Sequence, residues 1–180
     1  MEIVPREVDP NSSIPDRKCD IRNLLSAAAA YGSLECLQFL ADNGGDLNCI
    51  SRNGYTLLHW AAFGGWDDVI YYLIGKNLSV DAADNNKQTA LHIACVCGHE
   101  STVLLLIENC AHIDHPAMFK WTPLHFAIAY GQKDVCKILL SKGAKIDLKD
   151  DLGRNAEVLA HEYKRSWWDS VVSEVKEQLS

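Results

Sequence analysis

Apolar and polar positions along this chain repeat every 33 residues. The phrase TLLHWAAFGG at 56–65 returns as TALHIACVCG at 89–98 and as TPLHFAIAYG at 122–131. The glycines that end these phrases, and one further glycine upstream, are spaced without insertion at Gly32, Gly65, Gly98 and Gly131. A period of this length, held in register, indicates an array of one small structural unit.

Each unit predicts two short helices. Thr56, Thr89 and Thr122 suit the N-cap of the first helix, because a threonine hydroxyl there accepts a hydrogen bond from an early helical N–H. The glycine then ends that helix. Acidic residues such as Asp67 begin a second helix, which has an apolar stripe starting at Val69. One such pair cannot cover its own apolar face, so the pattern predicts units stacked as an all-α solenoid.

The repeat covers the chain from about residue 20 onward. We expect units at about 20–50, 51–83, 84–116, 117–149 and 150–180, the first and the last being caps with polar outer surfaces. In the last unit we expect Trp167 or Trp168 to cover the final core layer. Residues 1–19 are rich in proline and predict an irregular leader.

These motifs closely resemble ankyrin repeats. The resemblance rests on the 33-residue period, the TPLH phrase of 122–125, the following glycine and the ending LLSKGAKID at 139–147. It implies antiparallel helix pairs joined by hairpin-like loops that project at right angles, so that each unit is L-shaped. It also implies a concave groove lined by the hairpin tips and by the ends of the first helices.

His59, His92 and His125 occupy one column of the repeat. Equivalent helices of stacked units lie about 8–10 Å apart, whereas zinc needs its nitrogen ligands at about 2.0–2.1 Å. The three histidines are therefore not expected to share a metal ion. The family resemblance implies instead that each one bonds the threonine of its own unit and ties the loop to the helix.

The cysteines predict a reducing compartment. The chain has seven, an odd number, placed inside otherwise apolar segments, which is untypical of a disulfide framework. Cys36 and Cys136 stand in apolar columns, where a free thiol packs as a small hydrophobe. The cluster CVCGH at 95–99 suggests metal ligands, but its spacing matches no well-supported site. Among the thiols, Cys97 is the one we expect to react first, since its column faces the groove.

Composition narrows the classes of partner. The net charge of −7, without a run of lysine or arginine, argues against nucleic acid and against an anionic membrane as the main partner. No stretch approaches 18 apolar residues and no signal core is visible, so a cytoplasmic or nuclear location is expected. Catalytic and phosphate-binding motifs are not found. We expect no cofactor, no metal, no small-molecule substrate and no enzymatic activity.

The function most consistent with the sequence is binding of a protein or peptide partner by a monomer. Repeat positions at which the fold does not fix the residue type carry aromatic residues, which are common interface anchors. The tip PAMFKW at 116–121 also lacks the Asp and Gly typical of the family, so we expect an altered turn with an apolar surface. The predicted partner-binding residues are Tyr31, Arg52, Asn53, Tyr55, Phe63, Gln88, Cys97, Met118, Phe119, Trp121, Tyr130 and Arg154.

Three alternatives remain open. The aromatic residues could pack tip against tip, with Trp121 against Gln88 and Arg154. A weaker site could lie on the outer face of the second helices, formed by Tyr71 and Leu104 with Trp66. The protein could also act as a stoichiometric inhibitor or assembly chaperone of one client. Wide contacts with a single client would favour that role, whereas several short-peptide clients would favour an adaptor.

Asn48 is a candidate modification site. Leu40 lies eight residues before it and Asp46 two before it, an arrangement similar to the asparaginyl hydroxylation sites of ankyrin repeats. The competing hypothesis is that Asn48 only bonds its own loop. An added oxygen in the intact mass would distinguish the two when the host supplies the enzyme.

Overall fold

A computed structural model describes the backbone of residues 17–179 and the side chains of residues 22–178. Residues 1–16 of the expected leader lie outside this range. The described chain forms ten α-helices and one short 3-10 turn, and this part contains no strand. The helices are α1 Arg17–Ala30, α2 Leu34–Asp42, α3 Leu57–Gly64, α4 Asp67–Gly75, α5 Ala90–Cys97, α6 Glu100–Glu108, α7 Pro123–Tyr130, α8 Lys133–Ser141, α9 Ala156–Glu162 and α10 Trp168–Leu179, with the 3-10 turn at Met118–Lys120.

The helices form two layers, as the repeat predicted. The first helices of the units contact one another in the order α1, α3, α5, α7 and α9, and the second helices in the order α2, α4, α6, α8 and α10. One continuous apolar core runs between the layers, with Leu37, Ile70, Leu106 and Leu139 fully buried. The expected all-α stack of helix pairs is confirmed.

The first helix of each inner unit begins at a capping box. The backbone N–H of Thr56, Thr89 and Thr122 donates to Nδ1 of the histidine three residues later, at 3.1 Å in each case. Because Nδ1 accepts this bond, Nε2 carries the ring proton, and in His59 it donates to the carbonyl of Gln88 at 2.9 Å. The histidines therefore tie each hairpin to its own helix and, at His59, to the next hairpin.

A second hydrogen bond joins successive units at the residues that follow Gly65, Gly98 and Gly131. The side chains of Trp66, His99 and Gln132 donate to backbone carbonyls 36 residues earlier, at 2.8 to 3.0 Å, and Arg165 binds the carbonyls of Ile128 and Ala129 in the same way. The glycine that the side chain crosses has to lack a Cβ: at Gly65 (φ 72°), a Cβ would lie 2.8 Å from the His99 ring. The glycine column thus serves unit packing as well as helix termination.

The two ends of the stack differ. At the C-terminal end Trp168 is buried, as expected for a cap, and Glu157, His161 and Asp169 are exposed on α9 and α10. At the N-terminal end the expectation of a polar outer surface is wrong, because α1 and α2 expose large apolar side chains. Cys36, expected in an apolar core column, is exposed there because no described unit precedes it.

Candidate functional site

Backbone hydrogen bonds join four hairpin tips into one row; in chain order the tips are residues 51–55, 84–88, 117–121 and 150–154. Each tip closes on itself, for example through Asp84 N–H to the carbonyl of Gln88 at 2.8 Å. Adjacent tips are joined by N–H···O bonds of 2.9 to 3.0 Å from Asn85 to Asn53, from Met118 to Asn86 and from Asp151 to Phe119. The spacing of the tip side chains is therefore fixed by the backbone.

The third tip has an altered turn, as the sequence predicted. In the second and fourth tips, Asp84 and Asp150 each accept two backbone N–H bonds at 2.7 to 2.9 Å through Oδ1. The third tip has Ala117 at this position, which offers no acceptor. Phe119 and Lys120 are both left-handed there, with φ of 58° and 59°. Two successive residues with a Cβ in this region carry strain that a glycine would not.

Seven of the predicted binding residues have exposed side chains. Tyr31 is 81% exposed and Phe119 is 66% exposed. Phe63 and Tyr130 lie at the C-terminal ends of α3 and α7, so the aromatic side chains follow the ends of the first helices. The exposed residues of the predicted set, which we call the tip and helix-end surface, are Tyr31, Arg52, Asn53, Phe63, Met118, Phe119 and Tyr130.

Two of the predicted residues, Tyr55 and Gln88, are buried, so the expectation that they face solvent is wrong. Tyr55 is 8% exposed; its ring stacks on His59 at 5.3 Å and meets the edge of Trp60 at 5.2 Å. Tyr55 precedes the N-cap and Trp60 is the fourth helical residue, which is the hydrophobic staple arrangement. Burial, followed by the Asp84 charge and Cys97, raises the pKa of the Tyr55 phenol.

Trp121 and Arg154 are half-buried and occupied within the chain. Trp121 repeats the staple by meeting the edge of Phe126 at 5.1 Å, and the guanidinium of Arg154 lies 5.9 Å from the centre of the Trp121 ring. Arg154 also donates two bonds to Oδ2 of Asp150, at 2.8 and 2.7 Å. For this pair, the alternative of tip-against-tip packing is confirmed.

A further Arg154 bond reaches Glu162 at 2.9 Å. Arg154 therefore already pairs with two acidic side chains of its own chain. Burial raises the pKa of the Asp150 carboxyl, but hydrogen bonds from the side chain and backbone of Arg154 outweigh that effect and hold it below its ordinary value. Arg154 acts in this structure as a support for the fourth tip.

Cys97 is half-buried, and burial raises the pKa of its thiol, which disfavours the reactive thiolate. The expectation that this thiol reacts first is therefore not supported by its surroundings. Cys36 and Cys110 are the exposed thiols among the described cysteines. In the CVCGH cluster, Cys95 is fully buried and His99 is engaged with the carbonyl of Phe63 at 3.0 Å. The side chains of this cluster serve packing and unit contacts.

The three repeat histidines are neutral structural groups. Burial lowers the pKa of His59 and of His125, and it lowers the pKa of His92 to about 3, with a smaller contribution from His115. Within residues 22–178, no group of three or more His, Cys, Asp or Glu side chains is arranged to hold a metal ion. In the same part of the chain, no helix is both long and apolar enough to cross a membrane.

Two further exposed positions are Leu152 and Asn48. Leu152, at the fourth tip, is 76% exposed and shares its column with Phe119, but it is not among the predicted binding residues. Asn48 is exposed, and its backbone N–H donates to Oδ1 of Asp46 at 2.9 Å. Its hydroxylation stays a prediction.

Comparison with known proteins gives matches along most of the chain. The family model described as ankyrin repeats in three copies matches residues 24–117, and that of a single ankyrin repeat matches residues 119–151. The human Notch-regulated ankyrin repeat-containing protein is 44% identical over 45 residues, which are 25% of this chain and 40% of that protein.

In two other relatives, the match covers a smaller share of the relative's own length. Mouse protein phosphatase 1 regulatory subunit 27 is 36% identical over 58 residues, covering 32% of this chain and 38% of that protein. The Drosophila melanogaster palmitoyltransferase Hip14 is 38% identical over 55 residues, covering 31% of this chain and 9% of that protein. Each match thus spans well under half of the relative.

Proposed function

We propose that this chain, which belongs to the ankyrin repeat family, is a non-enzymatic module that binds a protein or peptide through its tip and helix-end surface. The observation that carries the proposal is the set of exposed aromatic side chains, Tyr31, Phe63 and Tyr130, at or directly after the ends of three first helices. Exposed aromatic residues on a rigid scaffold supply large contact areas at low entropic cost.

The third tip supports the same surface. Phe119 is exposed and left-handed, so the fold gains neither burial nor a relaxed backbone from it. Strain at an exposed residue is a common feature of binding sites. Met118 adds a second apolar side chain beside it, and Lys120 is paired with Asp151 at 3.0 Å. The third tip therefore offers an apolar contact flanked by a neutralised ion pair.

Charge and chemistry favour a protein as the partner. The net charge of −7 disfavours nucleic acid. One matched relative carries the name of a regulatory subunit, which supports a role through binding another protein. We place this binding in the cytosol or nucleus, since the described cysteines are free thiols, and we expect a monomer without a cofactor.

The experiment is affinity capture from cell lysate with two matched baits beside wild type. The first variant carries Tyr31→Ser, Phe63→Ser, Phe119→Ser and Tyr130→Ser. The control carries Tyr71→Ser, which removes an exposed aromatic from the second-helix layer. Both are checked for folding by circular dichroism and urea unfolding.

We expect proteins that bind wild type and the Tyr71→Ser control to be lost from the four-site variant. Loss of the captured proteins from the Tyr71→Ser control alone would assign the site to the outer face of the second helices. Equal capture by all three would contradict the proposed surface. A single client bound at a stoichiometry of one would indicate an inhibitor or chaperone, and several short-peptide clients would indicate an adaptor.

A further inference from the structure

Among the residues that the structure describes, nothing covers an apolar face of the first unit. Leu24 on α1 and Phe39 on α2 are 53% and 67% exposed, and Cys36 is exposed between them. Together with Tyr31 they line a shallow groove. We call Leu24, Tyr31, Cys36 and Phe39 the N-terminal end face. It lies at the end of the stack, whereas the tip and helix-end surface runs along its side and shares only Tyr31 with it.

Two of these repeat positions, those of Leu24 and Cys36, are buried in every later unit. The column of Leu24 continues with four buried residues, Leu57, Ala90, Pro123 and Ala156. The column of Cys36 continues with four more, Val69, Thr102, Val135 and Trp168. A direct contact shows what covers this column: the Thr102 hydroxyl donates to Oδ1 of Asp67, in the preceding unit, at 2.5 Å. The exposed face therefore presents columns of a unit-to-unit interface, with no described unit before it.

The opposite end of the stack is closed by its sequence. Positions that inner units bury against the following unit are polar and exposed in the last unit. Glu157 replaces the buried leucines 25, 58, 91 and 124, and Asp169 replaces Leu37, Ile70, Val103 and Cys136. His161 and Ser173 stand in two further columns that are apolar in every other unit. The C-terminal end is thus unsuited to stack on another apolar face.

We propose that the N-terminal end face docks an ankyrin-type helix pair presented by another protein. The occupant is specified by continuity with the interfaces inside the stack, since in each of them the helix pair of the preceding unit packs on the next pair within one continuous apolar core. The docked helix pair would extend the stack by one repeat unit. The charged C-terminal end of a second copy does not supply this chemistry.

The test uses a probe made from the chain itself. The probe is the full chain with its C-terminal end converted to inner-unit residues and its own N-terminal end face blocked. Its substitutions are Glu157→Leu, His161→Ala, Asp169→Val and Ser173→Ile at one end, and Cys36→Ser and Phe39→Asp at the other. Cys36 of the wild-type partner is then the reporter, because it lies within the end face.

Two measurements follow the mixture of wild type with probe. Sedimentation gives the mass of the complex. Maleimide labelling followed by mass spectrometry gives the rate at each thiol, divided by the rate of the same thiol in the urea-unfolded chain. Cys110, exposed in the loop after α6, is the internal control. The negative control replaces the wild-type partner with the Phe39→Asp variant. This variant keeps Cys36 but adds a charge to the N-terminal end face.

We expect each protein alone to be a monomer and the mixture to form a one-to-one complex. At a probe concentration about ten times the Kd, labelling of Cys36 falls to about one tenth while Cys110 is unchanged. The Phe39→Asp partner forms no complex. If the probe does not fold, a copy of residues 51–83 fused in register directly before Lys18, in place of residues 1–17, supplies the same helix pair.

That fused unit is expected to slow Cys36 labelling, whereas the same unit fused after Ser180 leaves it unchanged. Three results would overturn the proposal. Wild type that dimerises alone, and loses the dimer with Phe39→Asp, would assign the face to a second copy. Slow Cys36 labelling in monomeric wild type would mean that the chain covers its own face. Unchanged labelling with both the probe and the fused unit would mean that the face docks no helix pair.

Discussion

The helix starts of the inner units of this protein repeat one set of residues and contacts, whereas its hairpin tips differ from one another. At the helix starts, Thr56, Thr89 and Thr122 make the same 3.1 Å bond to the same ring nitrogen of a histidine. At the tips, the equivalent residues Asn86 and Phe119 differ in chemistry, and their turns differ in backbone conformation. The threonine and histidine columns of the helix starts are uniform, whereas the tip column of Asn86 and Phe119 varies in residue and in turn conformation.

The largest expected effect is at the core between the two layers. Leu106 is fully buried in the third unit, so Leu106→Ala should lower the free energy of unfolding by about 2–5 kcal/mol through lost burial and a cavity. Urea unfolding followed by circular dichroism measures the loss. The control is Tyr71→Ala at an exposed position, for which we expect less than about 0.5 kcal/mol. Equal losses would contradict the assignment of the columns.

Acid should weaken the helix starts before it affects the tips. The buried histidines have folded pKa values below their ordinary value, about 3 for His92, so the unfolded state binds protons first. Their stabilisation is full above about pH 6.5 and declines below it, by roughly 1.4 kcal/mol per pH unit for each group that stays neutral in the fold. Unfolding free energies measured from pH 7 to 4 test this.

The matched pair for that measurement is His92→Gln and His161→Gln. Because His92 is buried and His161 is exposed, the first variant should be less stable at pH 7 but show a shallower decline with acid. The second should follow wild type. A slope that His92→Gln leaves unchanged would mean that other groups cause the acid sensitivity.

The smallest expected effect has the opposite sign and lies at the third tip. Phe119→Gly relieves a left-handed backbone at an exposed side chain, so it should raise the free energy of unfolding by about 1 kcal/mol. It should also weaken partner capture, since it removes an apolar anchor. Asn53→Gly at the first tip, where the backbone is not left-handed, is the control and should give no gain. A destabilised Phe119→Gly would show that this side chain supports the fold.

Much of the fold could be predicted from spacing alone. The threonine and glycine columns mark helix starts and ends because capping is a local interaction, made within a few residues of the chain. The altered third tip could be predicted because Ala117 and Lys120 replace residues with specific turn chemistry. The burial of Trp168 could be predicted because a stack has to close its last layer.

The surface was harder to predict. Tyr55 and Phe119 are aromatic residues of tip columns two positions apart, yet one is buried and the other exposed. Because Thr56 is the N-cap, Tyr55 precedes it and Trp60 is its partner in a hydrophobic staple. The burial of Tyr55 could therefore have been predicted from the local sequence. The contact of Arg154 with Trp121 was among the predicted alternatives, but the pairing of Arg154 with Glu162 was not predicted, because a tip and a helix meet there.

The sequence by itself determined the repeat, the helix pairs and the polar residues that close the C-terminal end, since each depends on residues near in the chain or on a fixed period. Only the tertiary structure decided which of those positions are covered. Leu24 and Leu57 are both leucines in one repeat column, yet Leu24 is exposed and Leu57 is buried. The physical reason is that burial belongs to a pair of neighbouring units, and the first unit has no described neighbour before it.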